Sequence, residues 1–267
     1  MMTSNAEAEV KQMGTTNLHR PNDRGPSVTA IGLWGSSGRE RLHLLDEART
    51  RLAVISSVVR FDKGTRIYRE GDCADAIFNI IGGVVKTYKK LDDQSKHIVA
   101  FLFPEDLVGL AVEGKYVNSA EAVTPVTAYR IPVAALETRL RKDPGLEFLV
   151  ICKLCQELRE AQRHAFLLAK HHAPAKIAMF LQMLENYQCA RGESLEEVYL
   201  PMSRCDIADY VGMSAEAVSR SFRALASRGL IAFRDRRHLR VVSRRRLDSI
   251  AAEIEPRELA HRQEVDN

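Results

Sequence analysis

Glu216, Ser219 and Arg220 stand at i, i+3 and i+4 in a helix-prone stretch, so all three project from one face. In a DNA major groove, Arg bonds guanine through O6 and N7, Glu accepts from the N4 amino group of cytosine, and Ser reaches either base. One G·C pair read from both strands would satisfy the Glu216–Arg220 couple. The same two side chains would also form an ordinary surface ion pair, worth a few tenths of a kcal/mol. Their surroundings favour the first use. Residues 201–250 hold 11 arginines and no lysine against five carboxylates, a local charge of +6. Arg204, Arg223 and Arg237 flank the three reading residues or lie beyond them, with Arg234, Arg236 and Arg240, where phosphate contacts would supply sequence-independent affinity.

Reading residues need a helix pair to hold them. Ser203 fits an N-cap with Asp206 three residues on, a capping-box variant. Ile207, Ala208 and Val211 are apolar, Gly212 supplies a turn, and Ser214 caps the second helix. Val218, Phe222 and Leu225 then face inward, and Gly229 suits the C-terminus. Ala208, Gly212 and Val218 have the small–Gly–apolar spacing of a helix-turn-helix. Ser221 departs from it, being polar where an apolar side chain is usual, and Phe222 is expected to compensate. The two helix N-termini offer backbone N–H groups to phosphate. Beyond them Ile231–Phe233 and Leu239–Val242 read as a hairpin. Upstream, a helix from Pro174 and a short strand at Val198–Leu200 complete the unit.

Further upstream the pattern changes twice. From Asp143-Pro144 to about Lys170 the chain reads as one long helix. Ile151, Leu154, Leu158, Ala161, Ala165 and Leu168 recur at 3, 4, 3, 4, 3, a heptad seam that fits a homodimer coiled coil. Phe148, Cys152 and Cys155 are expected to lie on the chain's own barrel. Residues 58–132 contain short β-rich pieces at roughly ten-residue spacing, separated by Lys63-Gly64, Glu70-Gly71-Asp72, Gly82-Gly83, Asp92-Asp93 and Pro104-Glu105-Asp106. That spacing predicts a small antiparallel barrel or jelly roll. A helix-like stretch runs from Arg39 to about Ser57. The expected division is a flexible extension over 1–38, a β-roll sensor domain over 39–142, a dimerisation helix over 143–172, a winged helix-turn-helix over 173–250 and a tail over 251–267.

The 267 residues carry 39 Lys+Arg and 35 Asp+Glu, so residues outside 201–250 sum to −2. A 45% hydrophobic share supports a packed core and excludes collagen-like or wholly disordered chains. No apolar run approaches the roughly 18 residues of a membrane helix, and no secretory signal is visible, so a cytoplasmic protein with no membrane partner is expected. Five cysteines, an odd and scattered number, do not make a disulfide framework.

These features together resemble the CRP/FNR family of bacterial transcription regulators over roughly residues 55–245. The resemblance is carried by Lys63-Gly64 with Glu70-Gly71-Asp72, Gly83-Val84-Val85-Lys86, and Pro104-Glu105-Asp106-Leu107-Val108-Gly109. It continues through Ile207-Ala208-Asp209-Tyr210-Val211-Gly212 and Glu216-Ala217-Val218-Ser219-Arg220, which matches the family's Glu-x-x-Ser-Arg reading motif. It implies an α+β chain: an N-terminal double-stranded β-helix (the cyclic-nucleotide-binding-type β-roll), a dimerisation helix and a C-terminal winged helix-turn-helix. It also implies a homodimer on palindromic double-stranded DNA, activating through RNA polymerase, and no enzyme. Ala215 stands where cyclic-AMP-type members carry Arg, as in the FNR/FixK-type subgroup, which implies a TTGAT-N4-ATCAA site and a response to oxygen, redox or nitrogen-oxide status.

No cofactor is expected. Nucleotide-binding members neutralise the cyclic phosphate with an Arg; Asn118 stands in that position, and a neutral amide cannot replace the charge. No Cys precedes Cys73, which argues against an FNR-type iron–sulfur cluster. Cys152 and Cys155, at i and i+3, are expected to pack as small apolar side chains. A cyclic-nucleotide response, or haem ligation by His97 or His171-His172, are the alternatives. Cys205 lies in the first turn of the first helix of the motif, beside Arg204, where oxidation would add negative charge near DNA phosphate.

Overall fold

A computed structural model of the chain describes residues 49–91, 95–109 and 111–252. The expected extension over 1–38 and the tail beyond residue 252 lie outside the described residues. Residues 49–53 are helical, and the chain is already extended by Ser57, so the helical stretch ends about four residues earlier than its periodicity suggests.

Ten strands follow: β1 (Ser57–Phe61), β2 (Arg66–Tyr68), β3 (Ala76–Gly82), β4 (Val85–Lys90), β5 (Lys96–Leu102), β6 (Leu107–Val108), β7 (Ala111–Val112), β8 (Lys115–Tyr116), β9 (Ser119–Ala122) and β10 (Val126–Pro132). They form two four-stranded antiparallel sheets, ordered β1-β10-β3-β6 and β2-β9-β4-β5, with β7-β8 as a separate hairpin. The two-residue strands β6, β7 and β8 are too short to show a period, and only the structure reveals them.

The sheets close on Tyr68, Phe78, Ile80, Val85 and Tyr116, interleaved with Ala76, Ala120, Ala122 and Ala128. The alanines make room for a stacked Tyr68–Tyr116 pair, with centroids 3.8 Å apart. Gly83 turns β3 into β4 at φ +89°, and any Cβ there would overlap the Pro125 carbonyl, so only glycine serves.

Helix α1 (Val133–Leu140) follows β10, and sequence reading did not separate it from the β-rich region. Helix α2 (Pro144–Ala169) starts where expected: the Asp143 side chain accepts from the Leu146 N–H and Pro144 sits in the first turn. The seam residues are solvent-facing, Leu158 61%, Ile151 51% and Leu154 40% exposed, with Ala161 and Ala165 also exposed and Leu168 half-buried. Phe148 and Cys155 are exposed too, against the expectation that they pack on the barrel. The barrel instead receives a neighbouring face carrying Leu146, Lys153, His164 and Leu167. The Lys153 and His164 side chains on that face line a cavity.

The C-terminal unit holds α3 (Ala173–Ala190), β11 (Val198–Tyr199), α4 (Arg204–Val211), α5 (Ala215–Ser227), β12 (Ile231–Phe233), β13 (His238–Val241) and α6 (Arg244–Ala252). Its sheet is ordered β11-β13-β12. Helix α6, unforeseen from sequence, buries Leu247, Ile250 and Ala251 at helical spacing. Phe180, Leu181, Ile207, Val211, Val218, Phe222 and Leu225 make one core with Ile98, Phe101 and Phe103 of the β-roll. The sheet β2-β9-β4-β5 is thus buried on both faces, and the reading unit is docked on the roll.

Candidate nucleic-acid interface

The helix pair α4–α5 is built by the caps its sequence offers. The Ser203 side chain accepts from the Asp206 N–H, and the Asp206 carboxylate accepts from the Ser203 N–H at 3.0 Å, closing the capping box. Gly212 ends α4 in the left-handed region at φ +65°, where a Cβ would press Leu168 of α2 at 3.2 Å. Ser214 caps α5 by accepting from the Ala217 N–H at 3.1 Å. Ser221 is buried, and its hydroxyl donates to Ala217 O at 2.8 Å; Phe222 fills the core beside it, as expected.

On the outer face of α5, Glu216 and Arg220 pair at 3.2 Å with their side chains 75% and 64% exposed. Water screens such a pair, so separating it to meet bases costs little. Ser219 Oγ donates to Ala215 O at 2.8 Å, leaving its lone pairs for a donor. Arg223 lies one turn further on, its Nε donating to Ser219 O at 3.4 Å. These four side chains share one exposed face, as their spacing predicts.

Arg204 is placed differently from a free phosphate ligand. Its guanidinium lies 3.8 Å from the Phe222 ring centroid and 5.5 Å from that of Phe233, joining α4, α5 and β12. Burial there pushes its pKa down. One guanidinium nitrogen, Nη1, is buried without a hydrogen-bond partner. Cys205 beside it is exposed. Arg237 is exposed in the β12–β13 turn, whose shape is set by Asp235: its carboxylate accepts from the N–H groups of Arg237 at 2.7 Å and His238 at 2.9 Å.

A cavity of about 150 Å³ lies between the roll and α2 and extends to Tyr210 of α4. Asn118 lines it and accepts from the Tyr68 hydroxyl at 3.2 Å. Lys153 reaches in from α2 to Asp106 at 2.6 Å, each side chain 6% exposed. Burial opposes the Lys153 charge, but Asp106 outweighs it and holds the pKa above the ordinary lysine value. Burial lifts Glu157 to about 7.

Sequence reading missed this set. Its signal was a second stripe on α2, Lys153, Glu157, Glu160 and His164, at spacings of 4, 3 and 4 alongside the apolar seam. Among the described residues, no group of three or more His, Cys, Asp or Glu is placed to hold a metal ion. No helix among them is long and apolar enough to cross a membrane.

Comparison with known proteins agrees with this architecture. Residues 58–143 match the model of the cyclic nucleotide-binding domain, and residues 175–250 that of the Crp-like helix-turn-helix domain. The chain is 34% identical to the nitrogen fixation regulation protein FixK of Bradyrhizobium diazoefficiens, over 65% of this chain and 73% of that one. It is 33% identical to the transcriptional activator protein Anr of Pseudomonas aeruginosa, over 63% and 70% respectively. Among solved structures, FixK2 from Bradyrhizobium japonicum superposes with a TM-score of 0.69 at 29% identity, over 75% of this chain and all of that one.

Proposed function

Because the chain belongs to the CRP/FNR family of DNA-binding transcription regulators, we propose that it acts in the cytoplasm as a homodimer on a palindrome of the TTGAT-N4-ATCAA kind. Arg220 and Glu216 read the G·C pair of each half-site and Ser219 an adjacent base. Ser214 at the head of α5, Arg223 and Arg237 meet phosphates, while Arg204, expected there too, is held against Phe222 and Phe233 and braces the helix pair instead. The observation that carries this reading is the exposed face of α5, where an i,i+4 Glu–Arg pair faces solvent above a closed core. Half-sites about one helical turn apart follow from two copies related by the seam of α2. Footprinting on a TTGAT-N4-ATCAA duplex and on a scrambled one tests the reading; equal protection of both would end it.

The relative named as a transcriptional activator supports activation; that it proceeds through RNA polymerase and answers oxygen, redox or nitrogen-oxide status is part of the same proposal, resting on the subgroup resemblance of Ala215. A cyclic-nucleotide signal is disfavoured by the cavity itself. Among the described residues lining it, the lysine is already neutralised by Asp106, and Asn118 is uncharged. We assign the chain no haem and no iron–sulfur cluster.

Cys205 offers a redox input: an exposed thiol in the first turn of α4, where a sulfenate or higher acid would repel phosphate. Peroxide should therefore weaken DNA binding by wild type and leave Cys205→Ser unaffected. Equal loss in both removes Cys205 from the mechanism.

A further inference from the structure

Helix α4 does not read bases, yet both its ends are held by ionisable side chains from outside the reading unit. At the N-terminal end, Lys86 of β4 donates to Asp206 Oδ1 at 2.6 Å, while the other carboxylate oxygen closes the capping box on Ser203. Lys86 also lies 3.0 Å from Glu121 of β9, and all three side chains are under 20% exposed. A cation is ordinarily misplaced at a helix N-terminus, because the dipole is positive there. Lys86 is tolerated only because Asp206 stands between it and the helix. Without it, two half-buried carboxylates would face each other across the seam between roll and helix, each short of a partner.

At the C-terminal end the last carbonyls of α4 lack helical donors. His164 of α2 takes Tyr210 O, with Nε2 at 2.7 Å, and its ring stacks on Tyr210 with centroids 4.0 Å apart. Lys176 of α3 donates to Val211 O at 3.0 Å. Tyr210 packs in turn on Phe101 of β5, at 5.2 Å between centroids. The roll thus grips α4 at its start, and the long helix grips it at its finish.

We propose that Lys86 and His164 are positioning residues for DNA recognition: they clamp the two ends of α4 to the roll and to α2, and so fix the angle at which α5 enters the groove. The proposal rests on the reading of α5 given above. An unclamped α4–α5 pair keeps its own core and its arginines, so it still meets phosphate. It loses the register in which Glu216 and Arg220 reach base edges, and two half-sites can no longer be met at once.

The test is titration of full-length Lys86→Met and His164→Leu against the TTGAT-N4-ATCAA duplex and a scrambled duplex, with thermal unfolding of each variant. Hydrogen exchange along α4 and α5 without DNA gives a readout that does not depend on the site sequence. Each variant should bind the palindrome at least tenfold more weakly than wild type, with less than a twofold change on the scrambled duplex. Exchange should rise in α4 while the α5 core stays protected. Lys86→Arg and His164→Gln, which restore a donor, should recover most of the affinity.

A Lys86→Met protein that binds the palindrome as tightly as wild type, or more tightly, overturns the clamp, as does unchanged exchange in α4. Equal loss on both duplexes with exchange raised throughout the unit also overturns it, since that marks a purely structural role. If wild type itself fails to discriminate the duplexes, the reading of α5 fails instead, and the exchange comparison still decides whether Lys86 and His164 hold α4.

Discussion

At the scale of single residues, the interface rests on few side chains with strong geometric demands. On the proposed reading, Arg220→Ala removes the bidentate partner of guanine, so affinity for the palindrome should fall by about 1–3 kcal/mol and selection at that G should relax. Titrating the variant against duplexes changed at that base pair checks both effects. Glu157 makes a separate prediction, about pH. Burial raises its pKa from 4.5 to about 7, with Asp106 adding to the effect, and Lys153 and the Leu107 N–H opposing it. Between those values the folded chain holds a proton the unfolded chain has released, so stability falls as pH rises through that window. The full cost is roughly 3 kcal/mol above pH 7. Glu157→Gln should therefore unfold at a higher temperature than wild type at pH 8, with the gain shrinking toward pH 5. Parallel melts at the two pH values measure it, and a gain that does not depend on pH would contradict it.

At the scale of elements, legibility tracked periodicity and local chemistry. The reading helix was visible because Ser214, Glu216, Ser219 and Arg220 act within one helix, and α4 because Ser203 and Asp206 form a local cap. The seam of α2 was visible because it repeats. The contacts of Lys86 with Asp206, of Lys153 with Asp106 and of Lys176 with Val211 were not, since each joins positions at least 35 apart in the chain. A lone charged residue in a strand or helix gives no sign of such a partner. The same limit explains why Arg204 was expected at phosphate alone: its stacking on Phe222 and Phe233 depends on the fold of the wing. Cys155 was expected inside and is outside, because a short apolar residue beside a seam fits either face. The seam has a direct consequence. Leu158 is 61% exposed, so Leu158→Glu should leave the subunit folded while placing like charges opposite each other in a dimer. Sedimentation should then show a monomer, and affinity for the full palindrome should drop at least tenfold. A stable Leu158→Glu dimer would place the subunit contact elsewhere.

At the scale of the whole molecule, the charge is divided by function. Residues 201–250 carry +6 and the remainder −2, so the field that attracts a polyanion comes from the unit that reads it. That unit is docked through α4 on the outer sheet of the roll, and the cavity between roll and α2 reaches Tyr210 of the same helix. The roll and α2 thus touch α4 directly, through the Phe101–Tyr210 ring contact and the contacts of Lys86 and His164. The most direct measurement of DNA recognition is selection of bound duplexes from a fully random pool by the full-length protein at fixed salt. Enrichment of two TTGA half-sites, inverted and about one helical turn apart, is the expected outcome. Recovery of unrelated sequences, or of single half-sites without symmetry, would contradict it.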